Sequence, residues 1–103
     1  MTDNANKHLI SELEAEYDQE EGFLGLLRGG HFDTRARDRF LRLLDSVDLG
    51  PGEMISRRLV ALLWYVPLLL QWQARRLDEE ERVALQEVID QVTNQLERVL
   101  GVP

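Results

Sequence analysis

Residues 59–70 read LVALLWYVPLLL, twelve apolar residues without a charge or a break. Spanning a bilayer as a helix takes roughly 20 such residues. The run is therefore too short for a membrane and predicts a buried core helix. A helix that is apolar nearly all round has no side to offer water, so other elements must cover it. That single requirement points to a helical bundle built around one central helix. Pro67 lies inside the run. It lacks the amide that would bond to the Leu63 carbonyl, and its ring crowds that turn, so a kink is expected there.

The rest of the chain supplies the covering helices. Leu9, Ile10, Leu13 and Tyr17 recur at helical spacing and predict a first helix over about residues 5–20, halted near Gly22. GFLGLL allows one short helical turn, ended by Gly29 and Gly30. Asp33 is a good N-cap for a second helix over about residues 34–47, with Phe40, Leu41, Leu44 and Val47 facing inward. DLGPG breaks the chain at residues 48–52. The central third helix is expected to start near Pro51 and run to about Arg76. Asp78 and Glu81 form a D-x-x-E capping box before a fourth helix. In that helix Leu85, Ile89, Val92, Leu96 and Val99 make a heptad-like seam, and Gly101 followed by Pro103 ends it. No stretch carries the alternation of a strand. The expectation is one all-α domain over residues 1–103: a compact bundle of four main helices plus one short helical turn, with a kinked central apolar helix.

Composition removes several functions. With 44% hydrophobic and 30% charged residues the chain is globular, and with no cysteine it can form neither disulfides nor thiolate zinc sites. The N-terminus has no basic segment leading into an apolar one, so no secretory signal is read there and a soluble, cytoplasmic protein is expected. The glycines at 22, 25, 29 and 30 follow a helix and fit no phosphate-binding pattern. His31 and Asp33 form an H-x-D pair, and His8 precedes Glu12 by one turn. Neither histidine follows a glutamate as a di-iron site requires. No cofactor or metal is expected. The three serines sit in no nucleophile elbow, and carboxylates on polar helix faces stay ionised, so no enzyme is expected.

Net charge is −7, unevenly spread: −6 over residues 1–33, +4 over 34–76 and −5 over 77–103. Such a domain repels nucleic acid and anionic membrane and is steered toward a basic partner. On the first predicted helix, Glu12, Glu16 and Glu20 share one face, and Glu14, Asp18 and Glu21 another. Like charges at that spacing oppose a helix. Arg35, Arg39 and Arg42 on the second helix can pair with one acidic row and leave the other outward. The segment RARDRFLR is a basic face of the type used on phosphates, but Asp38 interrupts it. Trp64, Leu68 and Trp72 share a face of the third helix. Trp64 is expected in the core, and Trp72, beside the polar QWQARR end, at a surface.

The pattern EEGFLGLLRGGHFD, followed by a short helix, a Pro-Gly loop and the apolar LVALLWYVP helix, resembles small acidic toxin-neutralising (immunity) proteins of bacteria over about residues 17–70. The resemblance implies a cytoplasmic protein that acts by tight binding without catalysis. Carboxylates around the glycine turn would take the place of a toxin's anionic substrate, with Phe23 and Phe32 as apolar anchors. The candidate partner-binding residues are Glu14, Asp18, Glu21, Phe23, Arg28, His31, Phe32 and Trp72. Gly22 and Gly25 exceed what punctuation needs, which raises the question whether their flexibility presents Phe23 and the adjoining carboxylates to a partner. The alternative is a helical structural or regulatory subunit that dimerises through the fourth helix or the outer face of the third.

Overall fold

In the computed structural model, described over residues 2–48 and 55–102 and for side chains from residue 7 onward, every regular element is helical. The helices are α1 (Thr2–Glu16), α2 (Phe23–Arg28), α3 (Thr34–Asp45), α4 (Arg57–Gln73) and α5 (Glu79–Leu100), with a 3₁₀ turn (Ala74–Arg76) closing α4.

The apolar run forms α4, and α4 is central: α1, α2 and α5 all pack on it, while α3 lies on the far side against α5, α1 and α2. Leu59, Leu63, Val66 and Leu70 are buried along its inner side, against Leu13, Phe23, Leu27 and Leu85 of its neighbours. Each such side chain contributes roughly 1.5–3 kcal/mol on burial. The helix runs through Pro67 without a break, so the proline removes one hydrogen bond and does not split the element. The start expected at Pro51, and the DLGPG break beyond Asp48, lie outside the described residues. The helix begins at Arg57, where the Ser56 hydroxyl accepts from the Leu59 amide at 3.1 Å.

The first helix ends at Glu16, four residues earlier than the spacing predicts. Asp18 is the cause. Its carboxylate accepts from the amides of Glu20 at 2.8 Å and Glu21 at 3.1 Å, closing a turn that competes with further helix. The turn returns the chain so closely that a Cβ on Gly22 or Gly25 would stand inside the backbone of residues 15–19. These glycines permit contact between α2 and the end of α1; they do not serve to present Phe23. α2 ends in a Schellman arrangement: Gly30, at φ +84°, donates to the Leu27 carbonyl, and the His31 amide reaches Leu26, both at 2.9 Å.

The remaining caps follow the sequence. Asp33 accepts from the Ala36 amide at 2.9 Å, and Asp78 and Glu81 form the capping box of α5. Leu85, Val88, Ile89 and Val92 are buried, and Leu96 and Val99 pack half-buried against the core. The seam of α5 is thus consumed within the chain.

Candidate functional site

The predicted surface is dispersed by the fold. Beneath the turn after α1 lies Glu16, whose side chain points inward and is 4% exposed. One carboxylate oxygen, Oε1, accepts from the Phe23 amide at 3.0 Å and from Arg39 Nη2 at 2.9 Å. The other, Oε2, accepts from Arg39 Nε at 3.1 Å. Arg39 Nη2 also donates to the Glu21 carbonyl at 2.8 Å. This fork joins the end of α1, the first amide of α2 and the middle of α3. The hydrogen bond to Glu16 holds the Arg39 guanidinium protonated beyond its usual range, against the opposing effect of burial. Of the expected row Arg35, Arg39 and Arg42, only Arg39 forms an ion pair with the acids of α1 among the described residues.

Phe23 is 0% exposed and is not a surface anchor. Its ring meets Phe40 at 5.5 Å and Phe32 edge-on at 5.9 Å, so the glycine turn feeds it into the core. Phe32 is half-buried, with the Arg37 guanidinium 5.8 Å from its ring centre. Asp18 and Glu21 are exposed, with the Asp18 carboxylate committed to its turn. His31 is exposed in the link to α3. Arg28 is exposed, and its carbonyl accepts from Arg76 of the 3₁₀ turn. Glu14 stands apart from these, paired with Arg58 of α4 at 3.0 Å.

Several arginines serve helix ends, a role the sequence reading did not assign. Arg98 donates to the Val47 carbonyl at 2.9 Å and to Leu44 at 3.2 Å, closing the C-terminus of α3. Arg82 donates to the Leu77 carbonyl at 3.1 Å.

The outer face of α4 is different in kind. Ala61, Trp64, Tyr65, Leu68 and Trp72 follow one another at helical spacing, and Trp64 is 51% and Trp72 56% exposed. The expected core position of Trp64 is therefore corrected: α1, α2 and α5 cover the leucine side of α4 and leave this side open. Tyr65 sits between the tryptophans, edge-to-face with Trp64 at 6.2 Å and with Trp72 at 5.7 Å. Beside them an open groove of about 420 Å³ runs between α1 and α4, walled by Tyr17, Leu62, Trp64 and Tyr65, with the Glu14–Arg58 pair on its lining. The Tyr17 hydroxyl donates to the Leu62 carbonyl at 2.8 Å. Burial, and next the nearby Tyr65, push its pKa up to about 12, while Arg28 and Arg58 act in the opposite direction.

Among the described residues no three His, Asp or Glu side chains come together as a metal would require. Likewise no described helix is long and apolar enough to cross a membrane. No protein-family model, curated protein or solved structure matches this chain. The chemistry of the aromatic face is that of apolar contact and ring stacking. Trp72 alone of the predicted partner-binding residues lies on it, with Glu14 lining the adjoining groove. The signal for Trp64 was legible in its spacing from Trp72; the apolar run around it hid which side faced out.

Proposed function

We propose that this chain is a non-catalytic protein-binding module whose docking surface is the outer face of α4. One observation carries the reading: both tryptophans of the chain stand half-exposed on one face, braced edge-to-face by Tyr65. About half of each ring's area is left in water, unused by the fold. Trp, Tyr and Arg are the residues on which interface energy concentrates, and rigid rings lose little entropy on binding. Toxin neutralisation is the specific form we propose, supported by the resemblance over residues 17–70. Its mechanism is occlusion of a partner surface.

A second reading follows from the exposed Glu20 and Glu21 of the turn after α1. Neither carboxylate is paired among the described residues, and the net charge of −7 would steer a basic partner there. A photo-crosslinking side chain separates the two. Placed at Trp72, it captures the partner under the first reading; captured only from Glu20, the partner belongs to the second. In the toxin-neutralising form, expression of the chain protects cells from the cognate toxin, and Trp64→Ala/Trp72→Ala removes that protection while the fold persists.

A further inference from the structure

We propose that the segment received by the α4 face is anionic: an apolar stretch of a second protein carrying carboxylates at both ends. The inference rests on the docking reading above and names the chemistry of its partner. Arg57 and Arg58 stand one turn before Ala61, and Arg75 and Arg76 follow Trp72 by three and four residues. The 3–4 spacing from Arg57 through Ala61, Trp64, Leu68 and Trp72 to Arg75 keeps both ends on the aromatic side. Residues 55–77 contain four arginines and no acid. The carboxylate that lines the groove, Glu14, is already neutralised by Arg58 at 3.0 Å. Arg28, whose carbonyl holds Arg76, adds a further cation near Tyr17. In a chain of net charge −7, this stripe is cationic.

Arg57 and Arg75 are exposed and make no hydrogen bond or ion pair among the described residues. Each guanidinium presents a planar fork that fits a carboxylate bidentately. The helix between the two arginine pairs is about 25 Å long at 1.5 Å per residue. A partner helix of similar length, or a shorter extended segment, spans it. Trp64, Tyr65 and Trp72 then take the apolar middle.

Charge also chooses against the other occupants. A second copy laid antiparallel along this face sets Arg57 and Arg58 of one chain against Arg75 and Arg76 of the other; laid parallel, it sets like ends together. A membrane or a nucleic acid brings an extended anionic surface against a chain of net charge −7. A segment with only a few carboxylates can set them against Arg57 and Arg75, although Asp78 and Glu79 follow Arg76 by two and three residues.

The two indole N–H signals in NMR spectra report this face directly. The intact chain is titrated with two designed helical peptides that share a Leu/Phe middle, one ended in Glu and the other in Lys. The Glu-ended peptide is expected to shift both indoles saturably, more weakly as salt rises, and about tenfold more tightly than the Lys-ended one. Arg57→Glu/Arg75→Glu is expected to invert that preference with the circular dichroism unchanged. Equal or tighter binding of the Lys-ended peptide overturns the anionic partner and leaves the docking surface standing. No indole shift with either peptide overturns both. Indole shifts on dilution alone assign the face to a second copy. Tighter binding to phosphatidylglycerol vesicles or to a thymidine oligonucleotide assigns it to a polyanion. Either of these results overturns the proposal.

Discussion

Glu16 and Tyr17 are adjacent in the chain and belong to two unlike regions. Glu16 turns toward α2 and α3, where its two oxygens take three donors and its side chain is almost wholly buried. Tyr17 turns toward α4 and forms the wall of a groove beside two half-exposed tryptophans. In the first region charge is buried and satisfied; in the second, aromatic area is left in water. The usual division, apolar inside and charged outside, is reversed at both places, for different reasons. A buried carboxylate persists because each of its partners is fixed by a different helix. An exposed tryptophan costs the fold little, and so is free to serve another molecule.

That contrast breaks first at Phe23. Phe23→Ala should lower unfolding free energy by about 3–5 kcal/mol in urea titrations. A loss within about 0.5 kcal/mol, as for an exposed residue, would return Phe23 to the surface and undo the account of the junction. Gly25→Ala comes next. Helix propensity alone favours alanine by about 1 kcal/mol. The Cβ would meet the Asp18 backbone, however, and relieving that contact moves α2 off α1. A net loss of about 3 kcal/mol is expected, and a gain would show that the two backbones are not in contact. Glu16→Ala leaves the Phe23 amide without its acceptor and frees a half-exposed arginine, a loss of about 2 kcal/mol. If Arg39→Ala then adds its full separate effect in the double variant, the fork between them is not formed.

Tyr17 sharpens the comparison through pH. Its folded pKa, about 12, lies above the ordinary value near 10. The folded state therefore keeps the phenolic proton over a range in which the unfolded chain has lost it. The stabilisation is complete below pH 10 and declines as pH rises toward 12. Tyr17→Phe should flatten that decline, and an unchanged slope would show that the hydroxyl is not buried against α4. The smallest effect belongs to the outer face: Trp64→Ala/Trp72→Ala should cost about 1–2 kcal/mol, chiefly the two lost edge-to-face pairs. A loss comparable to Phe23→Ala would make the tryptophans part of the core.

Much of the fold was legible because local chemistry and packing agree. In α5 the capping box, the seam and the terminal Gly101 all mark the same element, and Asp33 marks the start of α3. The end of α1 was not legible, because the apolar spacing through Tyr17 continues the helix while the Asp18 turn opposes it, and the turn prevails through contacts with α2. Glu16 could not be told from Glu12 or Glu14: the three are alike in spacing, and only the distant Arg39 and Phe23 amide distinguish it. The aromatic face was half legible. Trp64 and Trp72 lie four plus four residues apart in the sequence, yet an apolar run says nothing about which side its neighbours leave bare. Arg98, reaching the end of α3 from far along the chain, leaves no local trace at all.

The two tryptophans are the only ones in the chain, so native tryptophan fluorescence reads the outer face of α4 and nothing else. With both rings half-exposed, the folded protein should emit at long wavelength and be quenched readily by acrylamide, with little further red shift in urea. Short-wavelength emission shielded from acrylamide, shifting red only on unfolding, would place the rings in an apolar interior and contradict an open outer face on α4.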